Sequence, residues 1–152
     1  MKINRLLLFC LMASLTGTLY AQSFYEVKTG ARIATKTGIN TLEVTGSKFV
    51  LRDGRMITTW DGELREDLGV KYYRRENNQV NYYNADEQLV GYYLPDVKRF
   101  VRIEARSEKE DYIAVIVDGQ IYTMDEKPTF RIDSGFEPEL VGLVLFFFLG
   151  YA

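Results

Sequence analysis

The sequence predicts a mainly β fold, a small closed antiparallel β-barrel of about ten to twelve short strands that encloses a hydrophobic C-terminal helix. Three observations support this prediction. Short runs rich in Val, Ile, Phe, Tyr and Thr are separated by turn residues, a pattern typical of hairpins. A ten-residue repeat in the middle of the chain indicates a meander. The segment Leu140–Leu149 is apolar on every face it could present, so it is stable only out of water.

The first 21 residues have the features of a secretory signal peptide. Lys2 and Arg5 give a positive start, and Leu6–Leu15 is an apolar run too short to span a bilayer. We place cleavage after Ala21 and expect a periplasmic or extracellular protein. The alternative is a permanent N-terminal anchor. Residues 22–152 then form a single domain, which is long enough to bury one modest core.

The composition excludes several kinds of chemistry. The chain has no histidine, and its one cysteine, Cys10, lies in the predicted signal peptide. Disulfides, metal sites of cysteine or histidine, and catalysis by either residue are therefore excluded. Leu8 and Phe9 are bulky where a lipoprotein signal has small residues, so we expect no lipid anchor. Without residues 1–21 the chain has 17 basic and 21 acidic residues, and a net charge of −4 gives no attraction for nucleic acid.

Twelve segments have the composition of strands and are bounded by turn residues. Their predicted bounds are Phe24–Lys28, Ala31–Lys36, Thr41–Thr45, Lys48–Arg52, Arg55–Trp60, Val70–Arg75, Gln79–Tyr83, Leu89–Leu94, Val97–Ala105, Tyr112–Val117, Gln120–Met124 and Thr129–Ile132. Four turns favour the left-handed backbone of two-residue hairpins. They are Asp53-Gly54, Asp61-Gly62, Asn77-Asn78 and Asp118-Gly119.

The ten-residue repeat reads Val-Lys-Tyr-Tyr from Val70, Val-Asn-Tyr-Tyr from Val80 and Val-Gly-Tyr-Tyr from Val90. Alternate residues of a strand point to opposite faces. If register is kept, one face carries Val70, Tyr72, Val80, Tyr82, Val90 and Tyr92, and the other carries Lys71, Tyr73, Asn81, Tyr83, Gly91 and Tyr93. We expect the face that carries the valines to point inward.

The last segment, residues 137–152, predicts a buried helix. Its start is either a capping box of Ser134 with Glu137 or Pro138 at the first helical position. A strand over Val141–Leu149 is the alternative, since Val and Phe favour strands. A further alternative is insertion of the final aromatic residues into an envelope membrane. These residues are Phe146, Phe147, Phe148 and Tyr151.

Short strands with Asp-Gly hairpins followed by one hydrophobic helix resemble the tubby-like superfamily, which includes the tubby C-terminal domain, the LURP-one-related proteins and the phospholipid scramblases. Phe130-Arg131-Ile132-Asp133 is similar to the last strand of that family. The segment from Glu137 to Val144 is similar to its buried helix. The hairpins within Val80–Tyr93 are similar to its repeated hairpins. The resemblance is one of pattern and order over most of residues 22–152. It implies a barrel around the final helix and phosphoinositide binding through basic residues.

The segment Tyr-Tyr-Asn-Ala-Asp from Tyr82 also resembles choline- or glucan-binding repeats. Those repeats are rich in Trp and Gly, and the hydrophobic tail has no place in their open arrays. This interpretation therefore comes second to the barrel.

Two groups of residues are candidate binding sites. An outward row of Tyr73, Tyr83 and Tyr93 could stack on sugar rings or on a partner, or could simply stabilise the sheet. A row of Lys98, Arg102 and Arg106 could contact phosphate groups of anionic lipid or a sulfated polymer, or could be a charged outer face that Glu104 neutralises.

The carboxylates suggest no catalytic site, since most of them lie in Asp-Gly turns or in the loop Glu108–Asp111. A carboxylate-based hydrolase is the enzymatic alternative. We expect a non-catalytic binding or structural module of the cell envelope, monomeric, without cofactor or metal. Its partner could be anionic lipid, a glycan or an envelope protein. The alternatives are a lipid-interacting protein of the tubby-like type and a carbohydrate-binding module.

Overall fold

The computed structural model describes residues 22–40, 45–51, 56–60, 63–66 and 69–151, with side chains for 22–36 and 71–151. The described residues form strands β1 to β12 and one helix, α1. The strands are Gln22–Glu26, Arg32–Asn40, Thr45–Leu51, Met56–Trp60, Glu63–Glu66, Gly69–Glu76, Gln79–Tyr83, Leu89–Leu94, Arg99–Ile103, Glu110–Val117, Gln120–Tyr122 and Phe130–Ile132, and the helix is Pro138–Phe147.

The strands form an antiparallel meander in which each strand pairs with the next one along the chain. The first strand, β1, also pairs with the last, β12, where Phe24 lies opposite Ile132. The prediction of a mainly β fold with a C-terminal helix is confirmed.

Local turn chemistry explains why the middle strands have their predicted bounds. Asn77 and Asn78 have φ angles of 49° and 62°, and Asp118 and Gly119 have 50° and 75°. These left-handed conformations are those that Asn, Asp and Gly tolerate in two-residue hairpins. Both predicted turns are confirmed, and β7 and β8 have the predicted bounds. The predicted turns at 53–54 and 61–62 lie outside the described residues.

The strand predictions differ from the structure most at three places, and Gln120–Met124 is also shortened, to Gln120–Tyr122. Strand β5, Glu63–Glu66, was not predicted, because its mostly charged sequence has no strand pattern of its own. It pairs with β4 on one side and with β6 on the other. A separate strand at Thr41–Thr45 was predicted, but Thr45 begins β3 and residues 41–44 lie outside the described residues. Val97–Ala105 is shortened to Arg99–Ile103, because Lys98 has a φ of 52° and belongs to a turn.

The helix α1 begins at Pro138, directly after Glu137, which has an extended backbone and makes no side-chain cap. Pro138 at the first helical position is therefore confirmed, and the capping box of Ser134 with Glu137 is wrong. The strand alternative is also wrong, and the helix ends at Phe147 rather than near residue 152. Pro suits this start because its missing N–H would have no partner in the first turn. Within the described ranges, no helix is both long and apolar enough to cross a membrane.

The core lies between α1 and the inner face of the sheet. Every residue of α1 from Leu140 to Phe146 is buried, as expected for a helix that is apolar all round. The core contains inward residues from both ends of the strand order, for example Phe24 of β1 and Phe130 of β12, whose ring centroids are 5.1 Å apart.

Two glycines allow close packing of α1 against the sheet. A Cβ on Gly142 of the helix would lie 2.0 Å from Cζ of Tyr82, and a Cβ on Gly91 of β8 would lie 2.5 Å from Phe146. The hydroxyl of Tyr82 donates a hydrogen bond of 2.8 Å to the carbonyl oxygen of Glu139. Burial, followed by the charge of Glu139, raises the pKa of Tyr82 well above its usual value. Tyr82 therefore fixes the position of the helix along its axis.

Two ion pairs hold the start of the helix. Lys36 Nζ lies 3.1 Å from Glu137 Oε1, and Arg75 Nη2 lies 2.8 Å from Glu139 Oε1. Acidic residues near a helix N-terminus also interact favourably with the helix dipole. These pairs connect the helix start to β2 and β6, which are on different parts of the sheet.

Candidate functional site

The outer face of the sheet carries a different set of tyrosines from the predicted one. Directly opposed residues on neighbouring strands share a face. Tyr73 lies opposite Tyr82, which is fully buried against the helix, and Tyr93 lies opposite the buried Val80. Tyr73 and Tyr93 thus point inward, while Tyr83 points outward. The predicted outward row of Tyr73, Tyr83 and Tyr93 is wrong.

The length of the hairpin turn explains the error. The two-residue turn at Asn77-Asn78 pairs Glu76 with Gln79, so each odd-numbered residue of β6 faces an even-numbered residue of β7. Residues ten apart on these two strands therefore point to opposite faces. Val80 and Tyr82 point inward as predicted, whereas Tyr72 and Tyr92 of the same predicted face point outward.

The outward residues form a continuous surface on β6 to β10. One line of opposed residues runs across these five strands and consists of Arg74, Asn81, Tyr92, Val101 and Tyr112. Tyr72 and Tyr83 lie opposite each other beside this line. We call the surface made by Tyr72, Tyr83, Tyr92, Val101 and Tyr112 the tyrosine face.

The centre of the tyrosine face is Val101. This side chain is only 2% exposed although it points away from the helix. Tyr92 and Tyr112 lie directly opposite it on the two neighbouring strands, so their rings are the groups that can cover it. Tyr112 is itself 60% exposed. Val101 is thus buried on the outer face between two strands that each carry a tyrosine opposite it, and much of Tyr112 is open to solvent.

Charged groups lie beside both of these rings. The hydroxyl of Tyr92 donates a hydrogen bond of 3.1 Å to Glu110 Oε2, and the guanidinium of Arg99 lies 5.3 Å from the ring centroid of Tyr112. Burial raises the pKa of Tyr92, and the hydrogen bond to Glu110 raises this pKa further. The tyrosine face thus combines aromatic area with a donor and an acceptor.

The second aromatic pair of this face is Tyr72 and Tyr83. Their rings are stacked with centroids 5.0 Å apart and an angle of 18° between the planes. The guanidinium of Arg74 lies 5.8 Å from the centroid of Tyr72 and 6.0 Å from that of Tyr83. Cross-strand pairs of this kind stabilise a sheet, so these two rings have a structural contribution whatever else they do.

The predicted basic row is not brought together. Lys98 lies in the turn between β8 and β9, and Arg106 lies in the turn between β9 and β10, beyond opposite ends of the five-residue strand β9. Arg102 lies on β9, on the same face as the buried Phe100. The three cations do not form one surface, because the strand that carries the pattern is shorter than predicted.

The partner of Arg102 also differs from the prediction. Arg102 Nη2 donates a hydrogen bond of 3.1 Å to Asp111 Oδ2 across the β9–β10 pair. The hydrogen bonds from Arg102 and then from Lys109 lower the pKa of Asp111. Glu104, the expected neutralising residue, instead accepts a hydrogen bond from Ser107 in the turn. The charge on this strand is balanced by the neighbouring strand.

Comparisons with known proteins give no relative. No family model, curated protein or solved structure matches the chain. Function is therefore inferred from the chain's own surfaces, of which the tyrosine face is the most extended aromatic one described above.

Sequence reasoning missed Tyr92 and Tyr112 as members of this face. Tyr92 belongs to the face through its pairing with Asn81, which depends on the five-residue loop 84–88 and the register shift at Tyr82–Tyr83, and the ten-residue repeat does not reveal this. Tyr112 joins the face through its pairing with Val101. Its only sequence signal is an aromatic residue at the start of a strand whose next residues, Ile113 and Ala114, are buried.

Proposed function

We propose that the protein is an exported, non-catalytic module of the cell envelope that binds carbohydrate on the tyrosine face. The observation that carries this proposal is the position of Val101, which is buried on the outer face of the sheet and has Tyr92 and Tyr112 opposite it on the two neighbouring strands. Neighbouring strands are about 4.8 Å apart, so these two tyrosines lie about 10 Å from each other. That separation suits an extended ligand which contacts both rings.

The chemistry of a sugar fits this surface. A pyranose ring has an apolar face of C–H groups and an edge of hydroxyl groups, and tyrosine offers an aromatic ring with a polar hydroxyl. Glu110 can accept hydrogen bonds from hydroxyl groups, and Arg99 can donate them. Both residues lie next to the two rings. A protein partner would use similar aromatic anchors, so a failure to bind any glycan in the test below would favour a protein partner instead.

The test is co-sedimentation of the full-length chain with insoluble polysaccharides, together with a glycan array. We expect binding of at least one glycan, reduced about tenfold or more by Tyr112→Ala, because loss of one stacked ring removes about 1–3 kcal/mol by analogy with base stacking on aromatic side chains. Tyr122→Ala is the matched control, since Tyr122 lies on β11 and its hydroxyl bonds Gln120. Equal binding by both variants, or no glycan bound, contradicts the proposal.

Export is the second part of the proposal. It is supported by Lys2 and Arg5 followed by the apolar run Leu6–Leu15. N-terminal sequencing of the protein recovered from the periplasm or the medium should begin at Gln22. Retention of residues 1–21 on a membrane-bound product would favour the permanent anchor.

The architecture is the third part, and we propose a closed barrel of the tubby-like type around α1. Support comes from β1, which pairs along one edge with β2 and along the other with β12. Tyr25 lies directly opposite Arg131. A double variant, Tyr25→Cys with Arg131→Cys, should form a disulfide, because opposed residues of antiparallel strands have a suitable separation. Failure to oxidise, in a variant that still folds, would contradict closure at this edge.

Anionic lipid remains the alternative ligand, although Lys98, Arg102 and Arg106 lie apart. Vesicle co-sedimentation of the full-length chain tests it. Salt-sensitive binding to anionic vesicles that falls when these three residues are replaced would favour lipid over glycan.

A further inference from the structure

A groove lies beside the tyrosine face, between two hairpin loops. One loop, 84–88, connects β7 to β8, and the other, 104–109, connects β9 to β10. The groove has a volume of about 640 Å³, within the range of about 300–1,000 Å³ that is typical of small-ligand sites. We call it the loop groove. None of the tyrosines of the tyrosine face lines it, and Glu110 is the one residue that the groove shares with the carbohydrate proposal.

Its walls come from the ends of β8 and β9. The apolar lining residues are Leu89, Val90, Ile103 and Ala105. The loop on one side is held by Asn84, whose Oδ1 accepts hydrogen bonds from the backbone N–H groups of Asp86 and Gln88. A groove whose loop is fixed in this way keeps its shape, which lowers the entropy cost of binding.

Arg102 supplies the positive charge of the groove. Asp111 fixes one edge of its guanidinium through the 3.1 Å hydrogen bond described above. The side chain is still 39% exposed, so it has donors left for an anion. Its Nε is buried and, among the described residues, has no hydrogen-bond partner. Buried donors without a partner are rare in proteins. The exposed part of the guanidinium is the part that a ligand in the groove can reach.

The negative charges lie on the loop side of the groove. Glu104, Glu108 and Glu110 line it. Glu110 is held by the hydroxyl of Tyr92, and Glu104 is held by Ser107. Glu108 is exposed and has a φ of 55°, and its N–H bonds the carbonyl of Glu104 across the turn. The groove is therefore lined by one cation, Arg102, by three carboxylates and by apolar side chains.

We propose that the loop groove binds a small peptide-like zwitterion. The ligand's carboxylate pairs with Arg102, its ammonium group lies among the glutamates, and an apolar side chain packs on the walls. Charge complementarity selects this ligand, because an anion alone would face three glutamates and a cation alone would leave Arg102 without a second acceptor. The volume suits a dipeptide better than a single amino acid.

The experiment titrates the full-length chain with three probes of nearly equal size. These are alanyl-leucine, its N-acetyl derivative, which has no ammonium group, and its C-terminal amide, which has no carboxylate. Binding is followed by calorimetry and by amide chemical shifts. We expect saturable binding of alanyl-leucine and a loss of about tenfold in affinity for each of the other two.

Matched variants separate a built site from a general charge effect. Arg102→Gln and Glu108→Gln should each weaken alanyl-leucine binding about fivefold or more. Two control variants should leave alanyl-leucine binding unchanged, because neither residue lines the groove. They are Arg99→Gln, on the outer face of the same strand, and Glu126→Gln, on the 123–129 loop between β11 and β12. Thermal melts show whether Arg102→Gln still folds. If Arg102→Gln is unfolded, Glu108→Gln still tests the proposal, because Glu108 is exposed and its replacement leaves the fold intact.

Several results would overturn the proposal. No saturation by alanyl-leucine means that the groove is solvated and empty of function. Equal binding of all three probes means that only the apolar walls act. Tighter binding of the amide than of alanyl-leucine means that the groove is a cation site. Loss of binding in Arg99→Gln, with Arg102→Gln unchanged, would place the ligand on the tyrosine face.

Discussion

Replacement of Gly142 by alanine tests how closely α1 packs against the sheet. In the interior of an isolated helix, Gly→Ala is stabilising by about 1 kcal/mol, because alanine has less backbone freedom to lose. In this protein the added Cβ would lie 2.0 Å from Cζ and Oη of Tyr82. Carbon atoms in contact are about 3.5–4.0 Å apart, so the ring or the helix would have to move by roughly 1.5 Å.

That movement is resisted from every side. Tyr82 is fully buried, its hydroxyl bonds the carbonyl of Glu139, and its ring centroid is 5.0 Å from that of Phe146. Overpacking of a well-packed core costs about 1–3 kcal/mol and occasionally more. A displacement of this size belongs at the upper end of that range. After the gain in helix propensity, we expect Gly142→Ala to lower the free energy of unfolding by about 2 kcal/mol.

The assay is urea unfolding followed by circular dichroism, in two backgrounds. In the wild-type background Gly142→Ala should destabilise the protein. In a Tyr82→Leu background, which has no Cζ or Oη to meet the new Cβ, the same substitution should be neutral or stabilising by up to about 1 kcal/mol. The reversal of sign is the decisive readout. A stabilising effect in the wild-type background would show that Tyr82 does not lock the helix.

Three further predictions follow from the core and the turns. Phe146→Ala should lower the free energy of unfolding by about 3–5 kcal/mol, because the buried ring leaves a cavity, whereas Met124→Ala, at a side chain 87% exposed, should change it by less than about 0.5 kcal/mol in the same urea assay. The raised pKa of Tyr82 means that its contribution to stability is complete below about pH 10 and is lost as the pH rises further. Between about pH 9 and 11, the free energy of unfolding should therefore fall more steeply with pH for the wild type than for Tyr82→Phe. Parallel pH dependences would refute this. Asn78 has a φ of 62°, so Asn78→Gly should be nearly neutral while Asn78→Val costs about 1–2 kcal/mol in thermal melts, and equal melting temperatures would argue against a left-handed turn residue.

The parts of the fold that the sequence predicted well are those determined by neighbouring residues. Asn77-Asn78 defines a turn by its own backbone preference, and the end of β6 and the start of β7 follow from it. The helix was predicted because an apolar segment without charge has no stable exposed form. Pro138 marked its first residue for the same local reason.

The parts that the sequence did not predict depend on partners far along the chain. Glu63–Glu66 is a strand because β4 and β6 lie on either side of it, although its own composition is polar. The partner of Arg102 is set by the β9–β10 register, which a pattern within β9 does not contain. The orientation of the tyrosines required the parity of the turn, which the repeat of ten residues concealed.

The order of the elements along the chain has a consequence for biosynthesis. Strands β1 to β12 leave the ribosome before α1, although α1 supplies the centre of the core. A nascent chain that has these strands but not Leu140–Phe146 lacks the helix that covers the inner face of the described strands. Contacts between residues this far apart in sequence also form slowly. The inner face of the sheet therefore gains its apolar cover only once Leu140–Phe146 has been synthesised.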